Sequence, residues 1–145
     1  MRKLLIALLA VVIVGFAGIA VVYACCGGQP PPTISAEVDP AQLWPPNHKM
    51  VDIKLTVSIT GAEGWNILLV ASDEPDNAIG MGDGNTNNDI VIGADRQSLQ
   101  LRAERCGTRQ TGRTYTITLM AWGPGGTATT IEQVIVPFSM EGKDK

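Results

Sequence analysis

The chain has 145 residues, of which 45% are apolar, and its formal net charge at pH 7 is −3. Because 20 of the apolar residues lie within residues 1–24, the positive mean hydropathy comes from one short segment, which excludes a protein with many membrane-spanning segments. Without Arg2 and Lys3 the remainder carries a net charge of −5. Nucleic-acid binding without sequence preference requires clustered Lys and Arg, so no nucleic-acid partner is expected.

Residues 1–24 are predicted to be a signal peptide or a membrane anchor. Arg2 and Lys3 form a basic start, and residues 4–22 contain only apolar residues and two glycines. Three interpretations stay open: a segment that resembles a bacterial lipoprotein signal with Cys25 acylated, an ordinary secretory signal, and an uncleaved N-terminal helix. All three predict an exported protein of the cell envelope or extracellular space, and the first and third tether it to the membrane.

The three cysteines are Cys25, Cys26 and Cys106. If Cys25 carries lipid, either Cys26 and Cys106 form a disulfide or Cys106 is a partly buried thiol. No two cysteines have the CxxC spacing of a zinc knuckle or redox centre. Residues 25–32 contain two glycines and three prolines, a composition that predicts a tether between the leader and a folded body.

From residue 33 onward, apolar and polar residues alternate with a period of two, as residues 51–60 show most clearly. This period is typical of half-buried strands in antiparallel sheets, and no segment of the body has a helical stripe. Seven strands are predicted, at 33–38, 50–60, 65–72, 89–92, 98–104, 113–122 and 127–136. The expected fold is all-β, a seven-stranded antiparallel immunoglobulin-like sandwich over 33–137, preceded by the hydrophobic N-terminal helix and followed by a polar tail over 138–145.

Tyr115 lies near the start of the sixth predicted strand. In immunoglobulin-type sandwiches a tyrosine at this place forms a corner, in which its hydroxyl bonds to the backbone upstream. Tyr115 is therefore predicted to have a structural role in a tyrosine corner. The alternative is that it is an ordinary tyrosine within a strand. Ile117 occupies the position at which antibody domains carry a cysteine, so their inter-sheet disulfide is not expected.

Three segments resemble bacterial extracellular immunoglobulin-like and fibronectin type III-like repeats. They are LWPPNHKMV at 43–51, LRAER at 101–105 followed by Gly107, and YTITLMAWGPGGTAT at 115–129. The first two are similar to one particular group of these repeats, found in secreted or surface-attached bacterial proteins. The resemblance implies an exported sandwich module used for adhesion, spacing or display, and it transfers no catalytic residues.

Calcium is the one cofactor that the sequence suggests. No Lys or Arg occurs between Lys54 and Arg96, whereas seven carboxylates do, and residues 83–89 place side-chain oxygens at alternate positions around a glycine turn. Calcium binds six to eight oxygen ligands, so a weak calcium site is predicted. A long solvated turn with the same composition is the alternative. The candidate ligands are Asp73, Asp76, Asp83, Asn85, Asn87 and Asp89.

Arginines are concentrated between residues 96 and 113, where the sole acid is Glu104. These arginines are expected either to contact an anion or a glycan, or to balance the charge of the acidic stretch. Arg102 and Glu104 are predicted to lie on the outward face of one strand and to pair with Arg113 or Asp52. The five arginines are Arg96, Arg102, Arg105, Arg109 and Arg113.

The remaining candidate residues are aromatic or imidazole side chains. Trp44 is predicted to cap an open end of the sandwich, and His48 to be a structural loop residue, because one histidine supports neither a zinc site nor a catalytic triad. Trp65 and Trp122 either form a sugar-stacking platform or belong to the core and sheet edge.

No serine lies in a GxSxG motif, and no pair of nucleophile and base is visible, so no enzyme is expected. The leading hypothesis is a non-enzymatic envelope module for adhesion, display or architectural contacts with a surface protein or glycan. The alternative hypothesis is a calcium-dependent domain that binds carbohydrate or protein.

Overall fold

A computed structural model describes residues 28–76, 86–107 and 111–139. These residues form seven β-strands and no helix, so in this part of the chain there is no helix long and apolar enough to cross a membrane. The leader over 1–24, its predicted helix, Cys25 and Cys26 lie outside the described residues. The same holds for Asp83, Asn85, Arg109 and most of the predicted polar tail.

All seven predicted strands are present, with bounds that differ by a few residues at most. They are β1 Thr33–Asp39, β2 Met50–Thr60, β3 Gly64–Ser72, β4 Ile90–Ile92, β5 Leu99–Arg102, β6 Arg113–Gly123 and β7 Gly126–Val136.

The strands form two antiparallel sheets that pack face to face. The four-stranded sheet has the order β1-β2-β5-β4, and the three-stranded sheet has the order β3-β6-β7. The period-two pattern places apolar side chains between them; in β6, for example, Tyr115, Ile117, Leu119 and Ala121 are fully buried and alternate with half-buried residues. The core comprises Leu43, Ile53, Ile67, Val70, Leu99, Leu101, Ala103, Tyr115, Ile117, Leu119, Val134 and Val136.

Strand β5 is shorter than the predicted strand at 98–104, because the chain turns into the sandwich after Arg102. The Ala103 N–H donates to the Lys49 carbonyl (2.9 Å), and the Glu104 N–H donates back to the Arg102 carbonyl (2.9 Å). Ala103, Glu104 and Cys106 are all buried. The prediction that Glu104 lies on an outward strand face is therefore wrong.

The C-terminal part of the predicted tether packs against the sandwich. Pro32 is buried, and the Pro30 carbonyl lies so close to Gly125 in the β6–β7 turn that a β-carbon on this glycine would overlap it. The described chain thus approaches β1 along the turns that follow β2 and β6.

Different segments of the chain lie at the two ends of the sandwich. One end, which we call the N-terminal end, carries the chain start at Pro30–Thr33 and the turns after β2 and β6. The opposite end, which we call the far end, carries residues 40–49, 73–76, 86–89, 103–107 and 111–112. Strands of 11 residues such as β2 and β6 separate the two ends by ~35 Å.

Candidate functional site

Five charged side chains meet at the far end, and we call them the ionic cluster. Four of them are at most 3% exposed, which is unusual for charged side chains. Each follows or precedes a strand end that points to the far end of the sandwich, which is why segments distant in sequence meet there. The members are Glu74, Asp89, Arg102, Glu104 and Arg113; Asp89 and Glu104 pair with the two arginines, and the charge of Glu74 acts on Arg113.

Asp89 is held by both arginines. Arg113 Nη1 lies 2.7 Å from Asp89 Oδ2, and Arg102 Nε donates to Asp89 Oδ1 (3.1 Å). The carboxylate thus joins the start of β6 in one sheet to the end of β5 in the other.

Glu104 is less completely neutralised than Asp89. Its Oε1 lies 3.6 Å from Arg113 Nη1, and its Oε2 lies 4.0 Å from Arg102 Nε. Oε2 also accepts a hydrogen bond from Thr86 Oγ1 and lies 3.2 Å from His48 Nδ1. Burial raises the pKa of Glu104 above its usual value, because the interior disfavours the charged form.

Arg113 and Glu74 complete the cluster on the side of β3. Arg113 Nε donates to Ser72 Oγ (2.8 Å), and its guanidinium carbon lies 4.8 Å from the centre of the Tyr115 ring. Glu74 Oε2 accepts a hydrogen bond from the Cys106 N–H (2.6 Å). Through these contacts the cluster fixes the segments that follow β3 and β5 to the start of β6.

Tyr115 lies beside the cluster and links the two sheets. Its side chain is fully buried, and its hydroxyl donates to the Arg102 carbonyl (2.9 Å), 13 positions upstream. Burial raises the pKa of Tyr115, so the hydroxyl stays protonated and remains a donor at neutral pH.

The segments LWPPNHKMV and LRAER lie in direct contact. Arg102 Nη1 donates to the His48 carbonyl (3.0 Å), and the His48 N–H donates to the Ala103 carbonyl (3.0 Å). His48 has a positive φ of 62°, a conformation that these hydrogen bonds help to hold. Arg102 of the second segment therefore helps to fix the loop that carries the first segment.

The predicted calcium ligands occupy several different environments. Asp76 accepts hydrogen bonds from the backbone N–H groups of Asn88 (3.0 Å) and Asp89 (2.8 Å), which lower the pKa of Asp76. Asp73 Oδ1 accepts from the Thr114 N–H (2.7 Å), and the Asn87 carbonyl accepts from an arginine, Arg102 (2.9 Å).

Two predicted ligands, Asp83 and Asn85, lie outside the described residues. Within the described ranges, no group of three or more His, Cys, Asp and Glu side chains is placed to hold a metal ion. Calcium binding therefore stays a prediction. Of the candidate ligands, Asp89 has both carboxylate oxygens against the guanidinium groups of Arg102 and Arg113.

The described arginines all contact groups of the protein itself. Arg102 and Arg113 neutralise the acids of the cluster, Arg96 bonds to the backbone of β3, and Arg105 donates to the Phe138 carbonyl (3.0 Å) with its guanidinium over the Phe138 ring. These contacts favour the charge-balance interpretation of the arginine-rich stretch.

Of the partners predicted for Arg102 and Glu104, Arg113 lies 3.6 Å from Glu104, whereas Asp52 pairs with neither residue. Its Oδ1 accepts a hydrogen bond from Gln100 Nε2 (2.7 Å), because Gln100 is its register partner on β5. Arg102 is the register partner of Met50 and reaches into the cluster.

The three tryptophans lie in separate places. Trp65 is half-buried against the core, and Trp122 is 37% exposed and lies across Gly64 on the outer face of the three-stranded sheet. Trp44 is 46% exposed, whereas its neighbour Leu43 is 2% exposed and occupies the core position at the far end. Trp65 therefore faces the core and Trp122 the outer face of the same sheet, an arrangement that favours the core and sheet-edge interpretation of these two residues.

The sequence did not reveal the ionic cluster. Glu and Asp side chains are rarely buried, so a sequence pattern that contains them predicts exposed positions. The one usable signal was compositional: an acidic stretch free of Lys and Arg precedes a stretch with five arginines.

Comparisons with protein-family profiles, with curated proteins and with solved structures find no match for this chain.

Proposed function

We propose that this chain is an exported, non-enzymatic immunoglobulin-like module of the bacterial cell envelope, used for adhesion, display or architectural contacts. The observation that carries the proposal is the strand order. Lettered A to G along the chain, β1-β2-β5-β4 reads A-B-E-D and β3-β6-β7 reads C-F-G, which is the arrangement of constant-type immunoglobulin domains.

The tyrosine hydrogen bond supports the same assignment. Tyr115 lies at the start of β6, which corresponds to strand F, and its hydroxyl donates to the upstream Arg102 carbonyl. A tyrosine corner in immunoglobulin-like domains has the same strand position and the same type of hydroxyl-to-backbone bond, which here reaches 13 positions upstream.

The chemistry of the ionic cluster also favours a structural module. Asp89 and Glu104 pair with Arg102 and Arg113 inside the sandwich, and the segment LRAER, which resembles surface repeats, supplies two of these four side chains, Arg102 and Glu104. In this arrangement the cluster stabilises the far end. Partners then bind to the exposed loops and faces of the module.

The positions of the two ends give the module an orientation in this proposal. The leader precedes the N-terminal end, so an anchored module holds its far end away from the membrane. The far end and the outer faces of the sheets are then the surfaces available to partners outside the cell.

Export and anchoring are tested with the full-length chain produced in a bacterial host. Membrane fractions are analysed by intact mass, which distinguishes an acylated Cys25, an unmodified chain that starts at Cys25, and an uncleaved chain. Cys25→Ala is compared with Cys26→Ala, the adjacent control. We expect membrane association and accessibility to external protease in the parent; a chain confined to the cytosol would contradict the proposal.

Adhesion is measured as retention of intact producing cells on a glycan-coated surface. Equal retention of producing and non-producing cells would count against an adhesive role and leave display or architecture.

The calcium-dependent alternative has a separate test. Thermal unfolding of the full chain is followed with a chelator and after addition of calcium or magnesium. Stabilisation specific to calcium would favour the alternative, whereas equal melting temperatures in all three conditions would remove calcium from the proposal.

A further inference from the structure

A cleft of about 490 Å³ lies at the far end, between the β1–β2 connection and the start of β2. Trp44 lines it with a half-exposed ring, together with the exposed residues Gln42, Asn47 and Lys49. Buried Leu43 lines it from the core side. Small-molecule sites have volumes of ~300–1,000 Å³ and combine an apolar wall with a few polar groups, as this cleft does.

Backbone hydrogen bonds hold the cleft on both sides. The Leu43 N–H donates to the Ile135 carbonyl of β7 (2.9 Å), and the His48 N–H donates to the Ala103 carbonyl (3.0 Å). The loop that carries Trp44 is thus fixed to both sheets before any ligand arrives, so less conformational entropy is lost on binding.

The polar side chains around the cleft have hydrogen-bonding groups to spare. Asn47 Oδ1 accepts from the Lys49 N–H (3.2 Å), and Asp52 Oδ1 accepts from Gln100 Nε2 (2.7 Å). Each contact orients a side chain through one oxygen and leaves the Asn47 amide nitrogen and the second Asp52 oxygen for other partners. The Lys49 ammonium adds up to three donors.

We propose that this cleft binds a carbohydrate. A sugar ring has an apolar face of C–H groups and a rim of hydroxyls. The apolar face stacks on the Trp44 indole, and the hydroxyls exchange hydrogen bonds with the amide, ammonium and carboxylate groups of Asn47, Lys49 and Asp52. The cleft contains the exposed tryptophan and these polar groups in one place, whereas Trp65 packs against the core and the Trp122 ring lies over Gly64.

The carbohydrate proposal rests on the proposed envelope function for its biological setting. It gives the module a ligand class and a contact surface at the far end. The two proposals fail separately. Glycan binding is measured on the purified chain irrespective of its cellular location, and export is measured in cells irrespective of glycan binding.

The test uses the full-length chain in detergent, titrated with cellohexaose, chitohexaose, mannohexaose and xylohexaose by calorimetry and tryptophan fluorescence. We expect at least one of them to bind. Trp44→Ala should weaken that binding about tenfold or more, as truncation of a central aromatic contact does. Lys49→Ala, which removes an exposed side chain and keeps the backbone bonds, should weaken it about two- to tenfold.

Two further variants make the outcome decisive. Ile131→Ala removes an exposed apolar side chain from the outer sheet face and should leave the affinity unchanged. Trp122→Ala addresses the competing tryptophan. Absence of binding to all four oligosaccharides overturns the proposal, and so does an affinity that falls with Trp122→Ala but survives both Trp44→Ala and Lys49→Ala.

Discussion

Arg113 and Asp89 form an ion pair in the interior of the sandwich, with Nη1 2.7 Å from Oδ2 and 1% of each side chain exposed. Arg113 starts β6 in one sheet, and Asp89 immediately precedes β4 in the other. Both charges lose their hydration in the interior, so the net contribution of the pair is smaller than its Coulomb attraction. Removal of one partner strongly destabilises the protein, because it leaves a buried charge without compensation.

Replacement of Arg113 tests how strongly the far end depends on this pair. In Arg113→Met, Asp89 and Glu104 lose a guanidinium at 2.7 and 3.6 Å and share Arg102 alone. We expect the free energy of unfolding to fall by ~3–5 kcal/mol. Urea denaturation followed by tryptophan fluorescence measures it. Lys54→Met removes an exposed charge from β2 and should change stability by no more than ~0.5 kcal/mol.

The double variant Asp89→Leu/Arg113→Met removes both charges together. Since an apolar pair of similar size avoids the uncompensated charge, it should be more stable than Arg113→Met alone. If Arg113→Met unfolds at the same urea concentration as Lys54→Met, the ion pair does not stabilise the far end.

Tyr115→Phe tests the link between β6 and the end of β5. The substitution keeps the ring in the core and removes the donor to the Arg102 carbonyl (2.9 Å). Loss of one partner of a buried hydrogen bond costs ~1–3 kcal/mol, and we expect a decrease of this size in the urea experiment. Thr116→Val, on the outward face of the same strand, is the control. Equal stability of Tyr115→Phe and this control would show that the hydroxyl bonds to solvent instead.

The strands could be predicted because their signals are local. In β6, alternation between Tyr115, Ile117 and Leu119 and the threonines between them directly encodes which side chains face the core. Glycines mark the turn after β6, where Gly126 has a φ of 120° that other residues rarely adopt.

The ionic cluster could not be predicted, because it depends on contacts between distant segments. His48 and Glu104 are 56 positions apart, and Glu104 reaches the interior only because the chain leaves β5 at Arg102. The alternation over 98–104 extended the predicted strand by two residues and placed Glu104 in solvent. Likewise, the sequence predicts that Trp44 caps an open end of the sandwich, and the structure places its neighbour Leu43 in the core at the far end.

Glu104 gives the stability of the protein a specific pH dependence. Burial raises its pKa in the folded state, so between its unfolded value of ~4.3 and the raised folded value the folded protein binds more protons at this site than the unfolded chain. The contribution of Glu104 to stability is therefore greatest at acidic pH and falls as the pH rises through this window. Protonation also leaves two carboxylates facing two guanidinium groups.

The measurement compares the parent with Glu104→Gln at a series of pH values. The unfolding free energy of the parent minus that of Glu104→Gln should decrease from acidic to neutral pH. Asp76, whose lowered pKa gives the opposite dependence, is present in both proteins and cancels. Glu37→Gln removes an exposed carboxylate and shows how much of the change comes from net charge. A difference that increases with pH would mean that the charged form of Glu104 is the stabilising one.

Arg96 forms hydrogen bonds with backbone groups at the outer edge of β3. Its Nε and Nη2 donate to the Ile67 carbonyl (3.2 and 2.6 Å), Nη2 also donates to the Leu68 carbonyl (3.1 Å), and the Ile67 N–H donates to the Arg96 carbonyl (2.7 Å). The bonded segment coincides with a β-bulge between Ile67 and Leu69, where two exposed leucines stand side by side. An apolar edge with unpaired backbone groups is a template for pairing with another chain.

We therefore expect Arg96→Met to increase self-association of the protein and to lower its unfolding free energy by ~1 kcal/mol. Sedimentation velocity over a range of concentrations measures the association, and urea denaturation measures the stability. Arg96→Lys is the matched variant: it keeps the charge but lacks the planar fork that reaches both carbonyls, so it should fall between the parent and Arg96→Met. Identical sedimentation of all three proteins would show that the bulge and the twist of β3 protect this edge without Arg96.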